Sequence, residues 1–196
     1  MPYKDPKKQK LAQRQYYLNN KQKYADVLKY RRLRNKQYAW DVKHKIACKY
    51  CGENDPCCLN FHHIDSHKKV NTVAQLIRNA TSLKKLQEEI DKCEVVCVNC
   101  HRVLHYMGGS LSTKSNKVVR WYQAYKNSLQ CDKCGKSGDG IIDFHHINDD
   151  KLFSVGNRKL MRHLTKDDIL KEIQKCIPVC GNCHCKIHHQ ENNTVV

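Results

Sequence analysis

No run of apolar residues in this 196-residue chain approaches the ~18 needed to cross a membrane, and none forms the apolar core of a secretion signal. Its thirteen cysteines are therefore expected in a reducing compartment. Their odd number, their CxxC pairs and the twelve histidines beside them point to metal rather than disulfides. Apolar mass is short as well: at 40% apolar and a mean hydropathy of −0.77, one large core is not expected, and one domain or two small ones need a further source of stability. Acidic residues are also few, 19 against 36 Lys/Arg, and the formal charge of +17 is more than a protein-binding domain of this size usually carries. These shortages leave an intracellular, metal-stapled nucleic-acid protein, expected in the cytoplasm of its host cell or in the nucleus of a eukaryotic host, with no membrane partner.

Between Pro6 and Lys45 there is no glycine and no further proline. Lys, Gln, Arg, Leu and Ala dominate this stretch, which predicts one long helix, or two broken at Asn19-Asn20. Residues 1–45 hold 14 Lys/Arg against 3 Asp/Glu and form a basic arm. Apolar residues such as Leu11, Leu18, Leu28, Leu33 and Trp40 recur near helical spacing. Such a charge run is usually a solvated face. Here Tyr16, Tyr17, Tyr24, Tyr30 and Tyr38 interleave with Arg14, Arg31, Arg32 and Arg34, which favours a helix tracking phosphates.

The rest of the chain repeats itself. ACKYCGENDPCCLNFHHIDSHKK aligns with QCDKCGKSGDGIIDFHHINDDKL, and EEIDKCEVVCVNCHRVLHY with KEIQKCIPVCGNCHCKIHH, always 83 residues apart. The expected organisation is the arm (1–45), a first unit (46–108), a connector and helix (109–128), a second unit (129–190) and a tail (191–196). Each unit reads as knuckle, strand, loop and helix, strand, knuckle, helix. Leu59–His63 and Ile141–His146 are expected as strands, Cys93–Val96 and Cys176–Val179 as their return strands. Helices are expected over Val73–Asn79, Ser82–Asp91 and Leu160–Lys175, with an Asp-type capping box at Thr165 to Asp168.

Cys48, Cys51, Cys97 and Cys100, and likewise Cys131, Cys134, Cys180 and Cys183, are two complete four-thiolate sets. Each CxxC wraps one edge of a tetrahedral ion, and two such edges close a structural zinc site, so two Zn2+ per chain are expected. A thioredoxin-like motif would need one CxxC at a helix start, not two converging pairs. Cys57, Cys58, Cys93, Cys176 and Cys185 remain as buried or unassigned thiols. In His62-His63 and His145-His146 the strand alternation sends neighbours to opposite faces, so one can bind metal while the other faces substrate. His101 and His105, four apart on a helix, share a face and with a strand histidine can hold a second ion with open positions, as can His184 and His188.

The combination CxxC, FHHID or FHHIND, then CxxCH with a further His four residues on, resembles the HNH or ββα-metal endonucleases in their zinc-stabilised phage and homing form. The resemblance covers about two thirds of the chain and implies an α+β fold of two tandem ββα-metal units behind a basic helical arm. By position it makes His62 and His145 metal ligands, His63 and His146 the general bases, and His101 and His184 helix ligands, with His105 and His188 as additional ligands. It implies one catalytic Mg2+ or Mn2+ per unit. Where the family has an Asn that orients the base, this chain has Lys92 and Lys175, so that either the backbone alone orients the base or Asn99 and Asn182 in the knuckles take another role; Asp65 becomes Asn148, and Arg102 becomes Cys185, across the repeat.

Hydrolysis of a phosphodiester needs an activated water, stabilised transition-state charge and a better leaving oxygen, which a neutral histidine and a divalent ion can supply. Lys68, Lys69, Arg102 and Lys151 are placed to help hold the strand. The expected function is a site-specific duplex-DNA endonuclease acting as a pseudo-symmetric monomer; the alternatives are a non-catalytic zinc-finger regulator or a nonspecific nuclease.

Overall fold

The computed structural model describes residues 5–107, 117–161 and 163–193. The fold is α+β: α1 (Pro6–Asn19), α2 (Lys21–His44), β1 (Leu59–His63), α3 (Val73–Arg78), α4 (Leu83–Ile90), β2 (Cys93–Cys97), α5 (Val98–Met107), α6 (Lys117–Asn127), β3 (Ile142–His146), α7 (Arg158–Met161), α8 (Lys166–Ile173), β4 (Cys176–Cys180) and α9 (Gly181–Asn193). Strand β1 pairs with β2, and β3 with β4, as two separate hairpins. Residues 108–116 of the expected first-unit end and connector, and 194–196 of the expected tail, lie outside the described residues. By packing, the chain divides into two compact units, Met1–Val42 with His63–Glu94, and Lys43–His62 with Val95–Val196.

In the first of these, the arm is two helices and not one, broken at Asn20. Asp5 caps α1 by accepting the Lys7 N–H at 2.9 Å, and the Asn20 side chain closes it on the Tyr16 carbonyl at 2.8 Å. Among its described residues the arm has no buried apolar stripe: α1 buries nothing, α2 buries Asn35 and Ala39, and Leu11, Tyr16, Tyr17, Leu18, Tyr24, Leu28, Tyr30 and Leu33 are all exposed. Polar ties anchor α2 instead, from Asn35 Nδ2 to the Thr81 carbonyl and from Arg32 Nε to the Arg78 carbonyl, both 2.8 Å, and from the Tyr38 hydroxyl to Gln87. Thr72 and Ser82 cap α3 and α4.

In the second unit, each knuckle folds onto its hairpin. Leu59, Val95 and Val96 pack with Cys48 and Cys97, and Phe61, Cys100 and Leu104 cover them; Ile141, Ile142 and Val179 pack with Cys131 and Cys180 beneath Ile177, Cys183 and Ile187. β3 and β4 run antiparallel with Ile142 opposite Cys180, Phe144 opposite Pro178 and His146 opposite Cys176. A third cluster joins α6, α7 and α8 to the other face of β3 through Val119, Tyr122, Met161, Ile169 and Phe144. The single helix expected over Leu160–Lys175 is instead two, α7 and α8, because Thr165 and Asp168 form the capping box and start a new helix at Lys166.

Equivalent residues of the two repeats meet in this unit. The Asn99 N–H donates to Asn182 Oδ1 at 3.1 Å, and the Asn182 N–H returns the bond to Asn99 Oδ1 at 3.2 Å. This is the role found for the two knuckle asparagines. The mutual approach is not symmetric in bulk, since Val98 stands opposite its own counterpart, Gly181, where a Cβ would lie 2.5 Å from Val98 Cγ1. Helix propensity alone would make Gly181→Ala stabilising by up to ~1 kcal/mol. Here it is expected to destabilise by about 1–3 kcal/mol, because a β-branched neighbour cannot swing away. In a Val98→Ala background the cost is expected to fall sharply; thermal unfolding of the four proteins measures the coupling.

Candidate functional site

Two four-cysteine clusters stand where the CxxC pairs predict them. In each, all four sulfurs lie within 4.8 Å of one another. Cys51 and Cys97 Sγ are 3.6 Å apart, Cys134 and Cys180 Sγ 3.8 Å, against about 3.8 Å for the edge of a tetrahedron with ~2.3 Å Zn–S bonds. Gly52 and Gly135 adopt φ of 74° and 70°, which lets each knuckle turn back so that their N–H groups reach the Cys48 and Cys131 carbonyls at 3.0 and 2.8 Å. Burial pushes the Cys48 thiol up, but N–H groups of Cys97, Tyr50 and Cys51 directed at it bring it down to about 7; Cys131 is brought to about 7 in the same way by Cys180, Lys133 and Cys134. Burial pushes the Cys51, Cys100, Cys134 and Cys183 thiols the other way, so one sulfur in each cage is set toward thiolate and the closed tetrahedron of four sulfurs is what suits structural zinc.

Each three-histidine set is also gathered. His62, His101 and His105, and His145, His184 and His188, have ligand nitrogens within 4.8 Å of one another. The helix pairs approach Nε2 to Nε2 at 3.2 Å for His101 and His105 and 3.0 Å for His184 and His188. Two nitrogens on one ion at ~2.1 Å are about 3.0–3.4 Å apart, so the spacing fits. Three imidazoles suit a first-row transition ion, whereas Mg2+ prefers oxygen ligands. Burial, followed by the neighbouring His105 and His62, lowers the His101 pKa and favours the neutral, ligating form.

Sequence reasoning missed the groups that hold His63 and His146. Glu172, on α8, is fully buried and lies 2.9 Å from His146 Nε2. The same carboxylate accepts the N–H groups of Leu152 and Phe153 at 2.8 and 3.3 Å and the Lys175 ammonium at 3.0 Å. Burial pushes the Glu172 carboxyl up, but Lys175, Leu152, His146 and Phe153 together hold it at about 2. An ionised carboxylate only accepts, so Nε2 of His146 is the donor in this bond, which leaves Nδ1 directed away from Glu172. In the packing unit that contains His63, Glu89 repeats the pattern: His63 Nε2 at 2.8 Å, Lys92 at 2.8 Å, and the N–H groups of Val70 and Asn71 at 3.0 and 3.2 Å. Lys92 and Lys175 thus reach His63 and His146 through a glutamate three residues earlier. Both glutamates sit 83 residues apart, so the repeat alignment carried the signal.

In the second repeat, His145, His146, His184 and His188 line one open cleft of about 460 Å3, together with Asn148, Asp149, Lys151 and Glu191. Asp143 accepts from His184 Nδ1 at 3.2 Å and from Arg102 at 2.7 Å. Burial raises the Asp143 carboxyl, and His184, Arg102 and Lys126 outweigh it and hold it ionised. Arg102, grouped above with strand-holding cations, therefore has its guanidinium on Asp143 and on the Ile141 carbonyl at 3.2 Å. Arg14, Arg31, Lys68, Lys69 and Lys151 are exposed.

The remaining thiols are structural in their surroundings. Cys93 and Cys176 donate to the carbonyls of Glu89 and Glu172 at 3.3 and 3.4 Å, fixing the helix end beside the buried carboxylate. Cys58 is buried against the Asn182 carbonyl at 3.3 Å. Asp55 and Cys57 lie close to it, but Asp55 caps the Pro56–Cys58 turn, and burial with the neighbouring Asp55 pushes Cys57 up to about 11. No described helix is long and apolar enough to cross a membrane. Comparison of the chain with protein-family models, with curated proteins and with solved structures gives no match.

Proposed function

We propose that this chain is a metal-dependent endonuclease that cuts both strands of duplex DNA, with His63 and His146 as general bases in two separate centres. One observation carries the reading: in the second repeat a histidine with its Nε2 proton fixed by a buried carboxylate shares a cleft with three converging imidazoles. A zinc-finger regulator has no use for either feature. His146 Nδ1 takes the proton from an attacking water. His145, His184 and His188 hold a transition ion such as Mn2+, which when bound stabilises charge on the phosphate and on the leaving 3′ oxygen. By the 83-residue register the same roles fall to His63 and to His62, His101 and His105. The reciprocal Asn99–Asn182 bonds support a local two-fold relation of the knuckles, which matches the antiparallel strands of one duplex.

The test is incubation of supercoiled plasmid with the protein and Mn2+ or Mg2+, with and without EDTA. Cleavage in Mn2+ that EDTA abolishes supports the reading; an intact plasmid bound by the protein points to the regulator. Cleavage at one site against cleavage everywhere, read by end-mapping, separates a site-specific from a nonspecific enzyme, and RNA as competitor substrate tests strand type.

The arm supplies affinity in this reading, through exposed Arg14, Arg31 and their lysine neighbours, with the exposed tyrosines available to pack on sugar and phosphate. Removing residues 1–40 is expected to weaken binding by orders of magnitude at low salt and to flatten the slope of log affinity against log salt, because each lost phosphate contact removes about 0.9 from that slope. Turnover of bound DNA should change far less. A truncated protein with the full-length salt slope would remove the arm from the DNA interface.

A further inference from the structure

The two three-histidine sets differ in what stands behind them. In the second repeat, His184 donates through Nδ1 to Asp143 Oδ2 at 3.2 Å, and His188 through Nδ1 to Glu191 Oε2 at 2.8 Å, while their Nε2 atoms face each other at 3.0 Å. The other oxygen of Glu191 lies 3.4 Å from His145 Nε2. Asp143 sits two residues before His145 on β3 and so shares its face. In the first repeat the corresponding positions are Asn60 and Gly108, neither of them a carboxylate. Among the described residues, the hydrogen bond of His101 and His105 is the one they make with each other, at 3.2 Å.

A carboxylate behind a ligating imidazole fixes the tautomer that points the lone pair at the ion, and raises its basicity; losing one such partner typically costs 10–100-fold in metal affinity. We propose that Asp143 and Glu191 are positioning residues that make the second three-histidine set a tight transition-metal site, while the first binds the same ion weakly and exchanges it readily. The inference rests on the nuclease reading above for the purpose of these sets, but not for its measurement. It makes the ion concentration decide how many centres are loaded: at low metal the second alone, at high metal both.

The test is a Co2+ titration of the full chain with its two structural zinc ions in place, followed by calorimetry and by the visible d–d bands of nitrogen-bound cobalt. Two classes of site are expected, at least tenfold apart. His184→Ala should abolish the tight class and His101→Ala the weak one. Glu191→Gln, an exposed and conservative change, should weaken the tight class by ~10–100-fold and leave the weak class alone. Asn60→Asp should tighten the weak class, a gain that damage to folding cannot mimic. Equal affinities in the wild type, or a Glu191→Gln protein with an unchanged tight class, overturn the inference and leave the nuclease reading standing. No cobalt bound beyond the zinc pair overturns both.

Discussion

Replacing Cys180 by serine is expected to leave one zinc per chain and to unfold the β3–β4 hairpin. The reason lies in what that hairpin is made of. Its buried cluster is Cys131, Ile141, Ile142, Val179 and Cys180, so two of its five members are metal ligands and only three are hydrocarbon. Fully burying three such side chains contributes about 1.5–3 kcal/mol each, while ordering a residue's backbone costs roughly 1–2 kcal/mol, so burial alone cannot hold the knuckle closed. A structural zinc in a four-thiolate cage contributes on the order of 10–16 kcal/mol, which is the whole stability of an ordinary domain. Serine cannot replace the thiolate, and the cage falls with one ligand. Hydrogen exchange at Ile142 and Val179 should rise to that of an unfolded segment. The α1–α2 arm, which buries almost nothing, should keep its helical signal. Metal analysis of the wild type after exhaustive dialysis should return two zincs per chain. A folded wild type with fewer, or a Cys180→Ser protein whose β3 amides stay protected, would defeat the zinc-staple account.

Much of this architecture was legible because metal ligands are sparse, typed and rigidly spaced. Cys48 through His188 announce both cages and both histidine sets by register alone, and the strands fall beside them, β1 at Leu59–His63 as predicted. What depended on tertiary contact was not legible. Glu89 and Glu172 look like helix-surface partners of Lys92 and Lys175 three residues on, and only the folded loop shows each carboxylate buried under two N–H groups and a histidine. Spacing suggested a stripe of apolar residues in the arm, but Leu11, Leu18 and Leu28 stay exposed, and polar ties from Asn35 and Arg32 do the anchoring. Arg102 read as a phosphate ligand from its place beside His101, while its partner Asp143 is 41 residues away and has no counterpart in the other repeat. Identical motifs therefore concealed unequal surroundings.

On the nuclease function proposed above, His146→Ala is expected to turn a protein that linearises plasmid into one that nicks it. The substitution removes the proposed base of the second centre without touching Cys131, Cys134, Cys180 or Cys183, so zinc content and DNA affinity should hold. General-base catalysis contributes typically 10²–10⁴ in rate, and its loss should leave that strand intact on the timescale in which the other is cut. His63→Ala should nick the opposite strand, and the double variant should bind without cutting. Glu172→Gln discriminates further, because it keeps an oxygen for the Leu152 and Phe153 N–H groups but no longer fixes the Nε2 proton of His146. It should lower kcat for the same strand as His146→Ala while leaving KM for DNA in place, the pattern of a group felt in the transition state and not in binding. Should His146→Ala still cut both strands at the wild-type rate, the second repeat would be a binding module, and double-strand cleavage would require two copies of the first.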